Sequence, residues 1–239
     1  MNDYAKSVPL YDDGLGSVTY VDHLGSDLTI VNAARVSFGN EKSELDARDK
    51  RLINYLIGHR HTSTLEHNVV TFRFCVPMFV RNQHMRHRTW SYNEISRRYT
   101  EEDIKFYEPE SFRAQHESNR QASMPEKLID PLIDPWNTSG GNNATYLVHQ
   151  HNRNCFLLYN KLIKNGVCRE QARGVLPQNM YTEYYGTVNL NNLLKFINLR
   201  ADSDAQWEIQ QVARASLSIA KDLWPFAINS FMTQAGERT

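Results

Sequence analysis

Three stretches of the chain carry the residue pattern of β-strands. Residues 18–25 alternate apolar and polar side chains and end at a glycine, and residues 69–79 are rich in β-branched and aromatic residues. Residues 181–188 repeat the aromatic pattern. Such side chains fit the pleated surface of a sheet. We therefore predict three strands, and Pro77 places the end of the second at an edge or a kink.

Between and beyond these strands, apolar residues recur at the spacing of one helix face. The helices predicted on this basis are residues 27–36, 44–57, 79–88, 145–164, 169–176, 191–200 and 206–224, with a last short helix to Met232. Several of them end at a recognisable stop signal, namely Gly58, Gly166, Pro177 and Pro225. The chain has no internal repeat and no linker, which favours a single domain spanning residues 1–239.

Residues 101–143 break this regularity. The segment contains Pro109, Pro125, Pro131 and Pro135 and the turn-forming run Ser139-Gly140-Gly141. So many prolines exclude core helices. We predict an irregular proline-rich excursion that serves as a lid, a surface excursion or an inserted segment.

Composition narrows the class of partner. The formal net charge is zero and the pI is about 7.1, which argues against a general nucleic-acid or membrane-surface protein. Three scattered cysteines without CxxC spacing fit a reducing compartment. Neither a secretory leader nor an apolar run of about 18 residues is present. We expect a cytoplasmic protein with a small-molecule partner, no nucleic acid and no membrane.

Positive charge is nevertheless concentrated in one segment of the chain. Residues 81–98, called here the arginine cluster, contain five arginines and a single acid, Glu94. Guanidinium forks suit phosphate and carboxylate groups. A helix over residues 79–88 would place Gln83, Arg86 and His87 on one face, and Ser91–Glu94 has the composition of a polar loop. A solvated basic face and single-strand nucleic-acid binding, with stacking on Trp90, Tyr92 and Tyr99, are the alternatives.

Other candidate chemistries find less support. The group His59, His61, Glu66 and His67 lacks the HExxH spacing, so no metal is expected, although a histidine-ligated hydrolase remains an alternative. Ser91 and Ser96 lie near His87 without a nucleophile elbow. Glycine motifs for phosphate are missing as well. Any nucleotide must therefore be held by side chains, and Arg173, Asn189 and Arg200 are further candidates for that role.

Residues 86–99, read in order, resemble the signature of the flavin-dependent thymidylate synthases, Arg-His-Arg-x-x-Ser-x-Asn-Glu-x-Ser-x-Arg-Tyr, at every fixed position. The resemblance extends to residues 33–37, 61–67, 173–177, 187–189 and 198–208 and is least clear over 108–143. It implies an α/β (α+β) fold of non-Rossmann type, with a mostly antiparallel central sheet flanked by helices. It also implies a homotetramer with shared active sites.

The activity implied is methylation of dUMP to dTMP, with methylenetetrahydrofolate as carbon donor and NADPH as reductant through FAD. The dUMP-binding residues implied are Gln83, Arg86, Glu94, Ser96, Arg97, Arg98, Arg173 and Arg200. The FAD-binding residues implied are Ser37, Ser63, Glu66, Arg86, His87, Arg88, Glu94, Asn189, Asn191 and Lys195. Arg200 would be the catalytic group that stabilises charge on the uracil, and His61 would lie beside flavin and folate.

Three positions depart from the family pattern. Asn191 stands where arginine is frequent, Lys195 where asparagine or histidine is usual, and Asp204 where histidine is common. Lys195 follows Asn191 by four residues, which is the spacing of one helical face. We hypothesise that Lys195 restores the positive charge lost at position 191.

Overall fold

The centre of the fold is a five-stranded sheet in the order β1-β2-β3-β9-β4, with every neighbouring pair antiparallel. It is seen in a computed structural model, which describes residues 6–96, 104–120, 122–134 and 140–236. The strands are β1 Ser7–Leu10, β2 Gly16–Leu24, β3 Val69–Pro77, β4 Ser91–Glu94, β5 Phe112–Gln115, β6 Ser123–Ile129, β7 Leu132–Ile133, β8 Asn142–Asn143 and β9 Tyr181–Asn189.

Helices cover this sheet. They are α1 Asp27–Arg35, α2 Ala47–Gly58, α3 Met78–His84, α4 Ala144–Lys164, α5 Arg169–Ala172, α6 Leu190–Arg200, α7 Trp207–Leu223 and α8 Pro225–Gly236. Short 3-10 helices follow α1 at Val36–Phe38, precede β3 at Thr62–Leu65 and follow α5 at Arg173–Val175. The predicted antiparallel sheet with flanking helices is confirmed. The single domain stays a prediction.

The core forms on one face of β3 and β9 because their side chains alternate. Val70, Phe72, Phe74 and Val76 are fully buried, while Arg73 between them is exposed. Helices α6, α7 and α8 bury their apolar sides against this core. Burying one large apolar side chain contributes roughly 1.5–3 kcal/mol, and each of these four buried side chains of β3 contributes on that scale.

Buried polar side chains fix the helices that cover the core. The Asp27 carboxylate accepts hydrogen bonds from the backbone N–H groups of Phe226 and Ala227, each at 2.9 Å, and so caps the start of α8. Nε1 of the buried Trp224 donates to Asn68 Oδ1 at 3.0 Å. The start of α8 is thereby held to the start of α1 and, through Trp224, to the residue that leads into β3.

Three local predictions were wrong. The helix predicted over 79–88 ends at His84, and the predicted loop at Ser91–Glu94 is strand β4, paired with β9. The proline-rich excursion contains an antiparallel hairpin of β5 and β6. Of the two places predicted for Pro77, an edge or a kink, the structure has the kink: Pro77 ends β3, in the middle of the sheet, at the bend where α3 begins.

Candidate active site around His87 and Arg200

The site begins where α3 ends. Backbone N–H groups of Met85, Arg86 and His87 donate to carbonyls three or four residues earlier, so the chain continues as tight turns after His84. Gln83 is the penultimate residue of α3, whereas Arg86 and His87 lie in the turns. The prediction that all three share one helical face is therefore wrong. Gln83 and His87 are half-buried, and Arg86 is exposed.

The turns bring His87 against the end of α6. Arg200 Nε donates a hydrogen bond to His87 Nε2 at 3.1 Å, although the two residues are 113 positions apart. Burial and the neighbouring guanidinium lower the pKa of His87 below its usual range, so the ring is a neutral acceptor. Burial also lowers the pKa of Arg200. A guanidinium nevertheless keeps its charge at any physiological pH.

An aromatic layer fixes His87 in place. Its ring packs edge-on against Phe196 with centroids 5.0 Å apart, and Tyr92 OH donates to the His87 carbonyl at 3.2 Å. His84 is fully buried below, between Phe196 and Trp90. Trp90 is only 6% exposed, so the alternative in which it stacks on nucleic-acid bases is wrong. Tyr99 lies outside the described residues.

Trp90 lies flat against the sheet because β9 has a glycine at this point. A Cβ on Gly186 would lie 2.9 Å from a ring atom of Phe74 and 3.1 Å from a ring atom of Trp90. Those separations are shorter than side chains tolerate in a packed core. The glycine thus lets the loop with the signature residues rest directly on β9.

Part of the arginine cluster is neutralised within the chain. Glu94 of β4 accepts from both Arg81 Nε, at 3.0 Å, and Arg81 Nη2, and its other oxygen accepts from Thr182 Oγ1 at 2.8 Å. Both carboxylate oxygens are therefore used. Arg86 and Arg88 are exposed and form no ion pair with a described residue. Among the described residues of the cluster, these two are the cations available to a ligand.

A second group of predicted residues lies at the other end of α6. Asn189 caps the helix by accepting from the Asn192 backbone N–H at 2.9 Å. Asn191 Nδ2 donates to Glu66 Oε1 at 2.7 Å, and Glu66 follows the short 3-10 helix that contains Ser63. Asn191 and Lys195 line one cavity of about 290 Å³ together with Arg60 and Thr62.

The remaining predicted residues are scattered. Ser37 is exposed in the 3-10 helix after α1, and Arg173 is exposed in the 3-10 helix after α5. His61 is exposed and lies beside the stacked rings of Tyr55 and His59. No described contact joins these three residues to His87 or Arg200. Ser96 is half-buried beyond the end of β4. Arg97 and Arg98 lie outside the described residues.

Sequence reasoning missed two polar residues beside Gln83. Gln206 accepts from Gln83 Nε2 through its Oε1, and Gln206 Nε2 donates to Glu208 Oε2 at 2.9 Å. Glu208 is 4% exposed and also accepts from Arg113 of β5. Its low exposure could have been inferred from the apolar spacing of α7, but no sequence signal pairs it with Gln83.

Two further findings concern metals and membranes. Across the described residues, no three His, Cys, Asp or Glu side chains are arranged to hold a metal ion. None of the helices in that same part of the chain is both long enough and apolar enough to cross a bilayer.

Fold and site together define a mixed α/β protein with a candidate site built from arginine, histidine and amide side chains. Residues 19–226 match the family described as thymidylate synthase complementing protein. A flavin-dependent thymidylate synthase from Thermus thermophilus is 43% identical over 94% of this chain and 78% of its own length. One from Thermotoga neapolitana is 41% identical over 95% of both.

A solved structure agrees with these relatives. The crystal structure of the UMP/dUMP methylase PolB from Streptomyces cacaoi, bound with 5-Br dUMP, superposes with a TM-score of 0.75 at 31% identity. The match covers 95% of this chain and 97% of that one. The chain belongs to the thymidylate synthase complementing protein family, whose relatives here are flavin-dependent thymidylate synthases. The predicted family is confirmed.

Proposed function

We propose that the protein methylates dUMP to dTMP, taking the carbon from methylenetetrahydrofolate and the reducing equivalents from NADPH through FAD. The observation that carries this proposal is the contact between Arg200 and His87. It joins the family signature to a fixed positive charge on a separate helix. A neutral histidine holds the guanidinium while leaving its charge uncompensated, as stabilisation of an electron-rich uracil requires.

The residues present suit FAD. Arg86 and Arg88 are exposed cations on the turns after α3, and Lys195 and Asn191 line the cavity beside Glu66. Cations and amides of this kind hold the phosphates and ring edges of a dinucleotide. We propose that these residues, with His87, Asn189, Ser37 and Ser63, hold the cofactor. Bound FAD supplies hydride chemistry that no protein side chain provides.

The dUMP site is proposed to use residues of the same region together with Arg173. We propose that Gln83 and Arg200 contact the uracil, and that Arg86, Arg173, Ser96, Arg97 and Arg98 contact the phosphate or sugar. Within the described part of the chain, Arg173 shares no contact with the others. We therefore propose that it reaches dUMP from a neighbouring subunit of a homotetramer.

Exposed apolar residues support assembly. Tyr146, Leu157 and Leu158 of α4 are 51%, 46% and 46% exposed, and Phe38 after α1 is 80% exposed. Such side chains mark surfaces that other subunits cover. We propose a cytoplasmic homotetramer in which each active site combines residues of several subunits.

The first test is spectroscopic. The purified protein is expected to be yellow, and NADPH should bleach the colour in the absence of oxygen. Hydrogen at C5 of the uracil should be released from dUMP only when the folate and a reductant are both present. A protein that never takes up FAD would contradict the proposal.

The second test is complementation between subunits. Arg173→Ala and Arg200→Ala variants should each be inactive, while mixed tetramers should recover turnover at sites that receive both native arginines. The control is a mixture of Arg200→Ala with itself, carried through the same unfolding and reassembly. A mixture that stays as inactive as this control would contradict sharing of Arg173.

A further inference from the structure

A chain of hydrogen bonds runs from the proline-rich excursion to Gln83. Glu208, in the first turn of α7, accepts from Arg113 Nη2 and, at 3.3 Å, from Tyr107 OH. Its second oxygen accepts from Gln206 Nε2 at 2.9 Å, and Gln206 Oε1 in turn accepts from Gln83 Nε2. The carboxylate is 4% exposed, so bulk water cannot substitute for these partners.

The direction of each hydrogen bond in this series follows from the Glu208 carboxylate. An ionised carboxylate only accepts, so Gln206 must turn its NH2 group toward Glu208. The Gln206 carbonyl oxygen then faces Gln83, and only the NH2 group of Gln83 can satisfy it. The Gln83 carbonyl oxygen is left pointing away, and within the described residues nothing donates to it.

We propose that Glu208 is a positioning residue that fixes the amide orientation of Gln206 and, through it, that of Gln83. The consequence is that Gln83 presents a hydrogen-bond acceptor to the pyrimidine. The inference rests on the proposed function, in which Gln83 contacts the base of dUMP. Uracil carries a ring N–H donor at N3, whereas cytosine has an unprotonated acceptor nitrogen there. This series of hydrogen bonds, called here the relay, favours uracil over cytosine when the Gln83 oxygen faces N3 of the base.

Glu208→Gln tests the relay, because the new amide can donate as well as accept and no longer dictates the orientation of Gln206. Affinities for dUMP and dCMP are measured by calorimetry on the FAD-loaded protein. The preference for dUMP over dCMP is expected to fall about tenfold, the weight of one hydrogen bond of this kind. FAD content should stay at the wild-type level.

A double variant separates positioning from simple stabilisation. In Glu208→Gln with Gln206→Glu, the carboxylate moves one link closer to Gln83 and again accepts from its NH2 group. Selectivity for dUMP should return. A matched control, Arg113→Gln, removes another partner of Glu208 but leaves the relay, so it should lower the melting temperature without changing the preference between nucleotides.

The outcomes distinguish the relay from the proposed function. A wild-type protein that binds neither FAD nor dUMP would overturn the function itself. A wild-type protein that binds both, together with a Glu208→Gln variant of unchanged preference or a double variant that fails to regain it, would overturn the relay alone. Should Glu208→Gln not fold, Gln206→Met breaks the same link and is expected to give the same loss of preference.

Discussion

Replacing His87 by phenylalanine tests how Arg200 is held. The phenyl ring preserves the edge-on packing against Phe196 but removes the acceptor that lies 3.1 Å from Arg200 Nε. A hydrogen bond to a charged group contributes about 1.5–3 kcal/mol. Arg200 is half-buried, so water offsets part of the loss and the lower end of that range applies. A loss of about 1.5 kcal/mol in the transition state lowers kcat about tenfold.

The pH profile gives the same contact an independent test. His87 accepts only while its ring is neutral, and its pKa is lowered by burial and by Arg200. The turnover rate should therefore be at its maximum near neutral pH. It should fall as the pH drops through the lowered pKa of His87, which lies below the ordinary histidine value of 6.5. His87→Gln is the matched control, because its side-chain oxygen can accept but does not titrate.

The assay is dUMP-dependent turnover per bound flavin, at saturating FAD, between about pH 5 and 8, a range that brackets the ordinary titration of histidine. Normalising to bound flavin separates orientation of Arg200 from any loss of cofactor. His87→Gln should retain most of the activity and should not lose turnover at low pH. The reasoning is refuted if His87→Phe turns over like the wild type, or if turnover of His87→Gln still falls at low pH as it does in the wild type.

Three further outcomes are expected. Arg200→Ala should abolish turnover while binding FAD normally in a titration. Arg88→Ala should instead lose FAD during gel filtration. Full activity of both variants would contradict these roles. Lys195→Ala should bind FAD about fivefold more weakly at low salt, which is the size of one exposed charge contact. An unchanged FAD titration would contradict the hypothesis that Lys195 restores the positive charge lost at position 191. Burial, with lesser effects of His87 and Arg200, holds the pKa of His84 well below 6.5. Below about pH 6.5 the His84 ring therefore takes up a proton in the unfolded chain but not in the folded one. The free energy of unfolding should then decrease as the pH is lowered, by up to about 1.4 kcal/mol per pH unit. Urea unfolding should show a flatter acid slope for His84→Phe with Tyr184→Phe, which removes the 2.8 Å hydrogen-bond partner as well.

Local sequence pattern was enough for the elements that bury a strong apolar face. Residues 69–77 and 181–189 became the central strands β3 and β9 because β-branched and aromatic side chains alternate there. The helix over 47–58 starts with an Asp46 cap, as its composition indicates. These features depend on neighbours within a few residues, so a single sequence contains them.

Pairing between distant segments was not predictable in this way. Ser91–Glu94 lacks apolar alternation and becomes a strand only because β9 offers an open edge. The helix of residues 78–84 stops at a histidine that tertiary packing buries completely. Similarly, neither the contact between His87 and Arg200 nor the link from Gln83 to Glu208 was predicted, because each joins segments far apart in the chain.

Among the described residues, helix α6 carries members of both groups of predicted site residues. Asn191 lies near its start and Arg200 at its end, about 14 Å apart along the axis. Leu193, Phe196 and Ile197 between them are buried, so the rod cannot bend without opening the core. Because its middle is packed into the core, we expect α6 to move as a rigid body, so that a displacement at Asn191 is transmitted to Arg200.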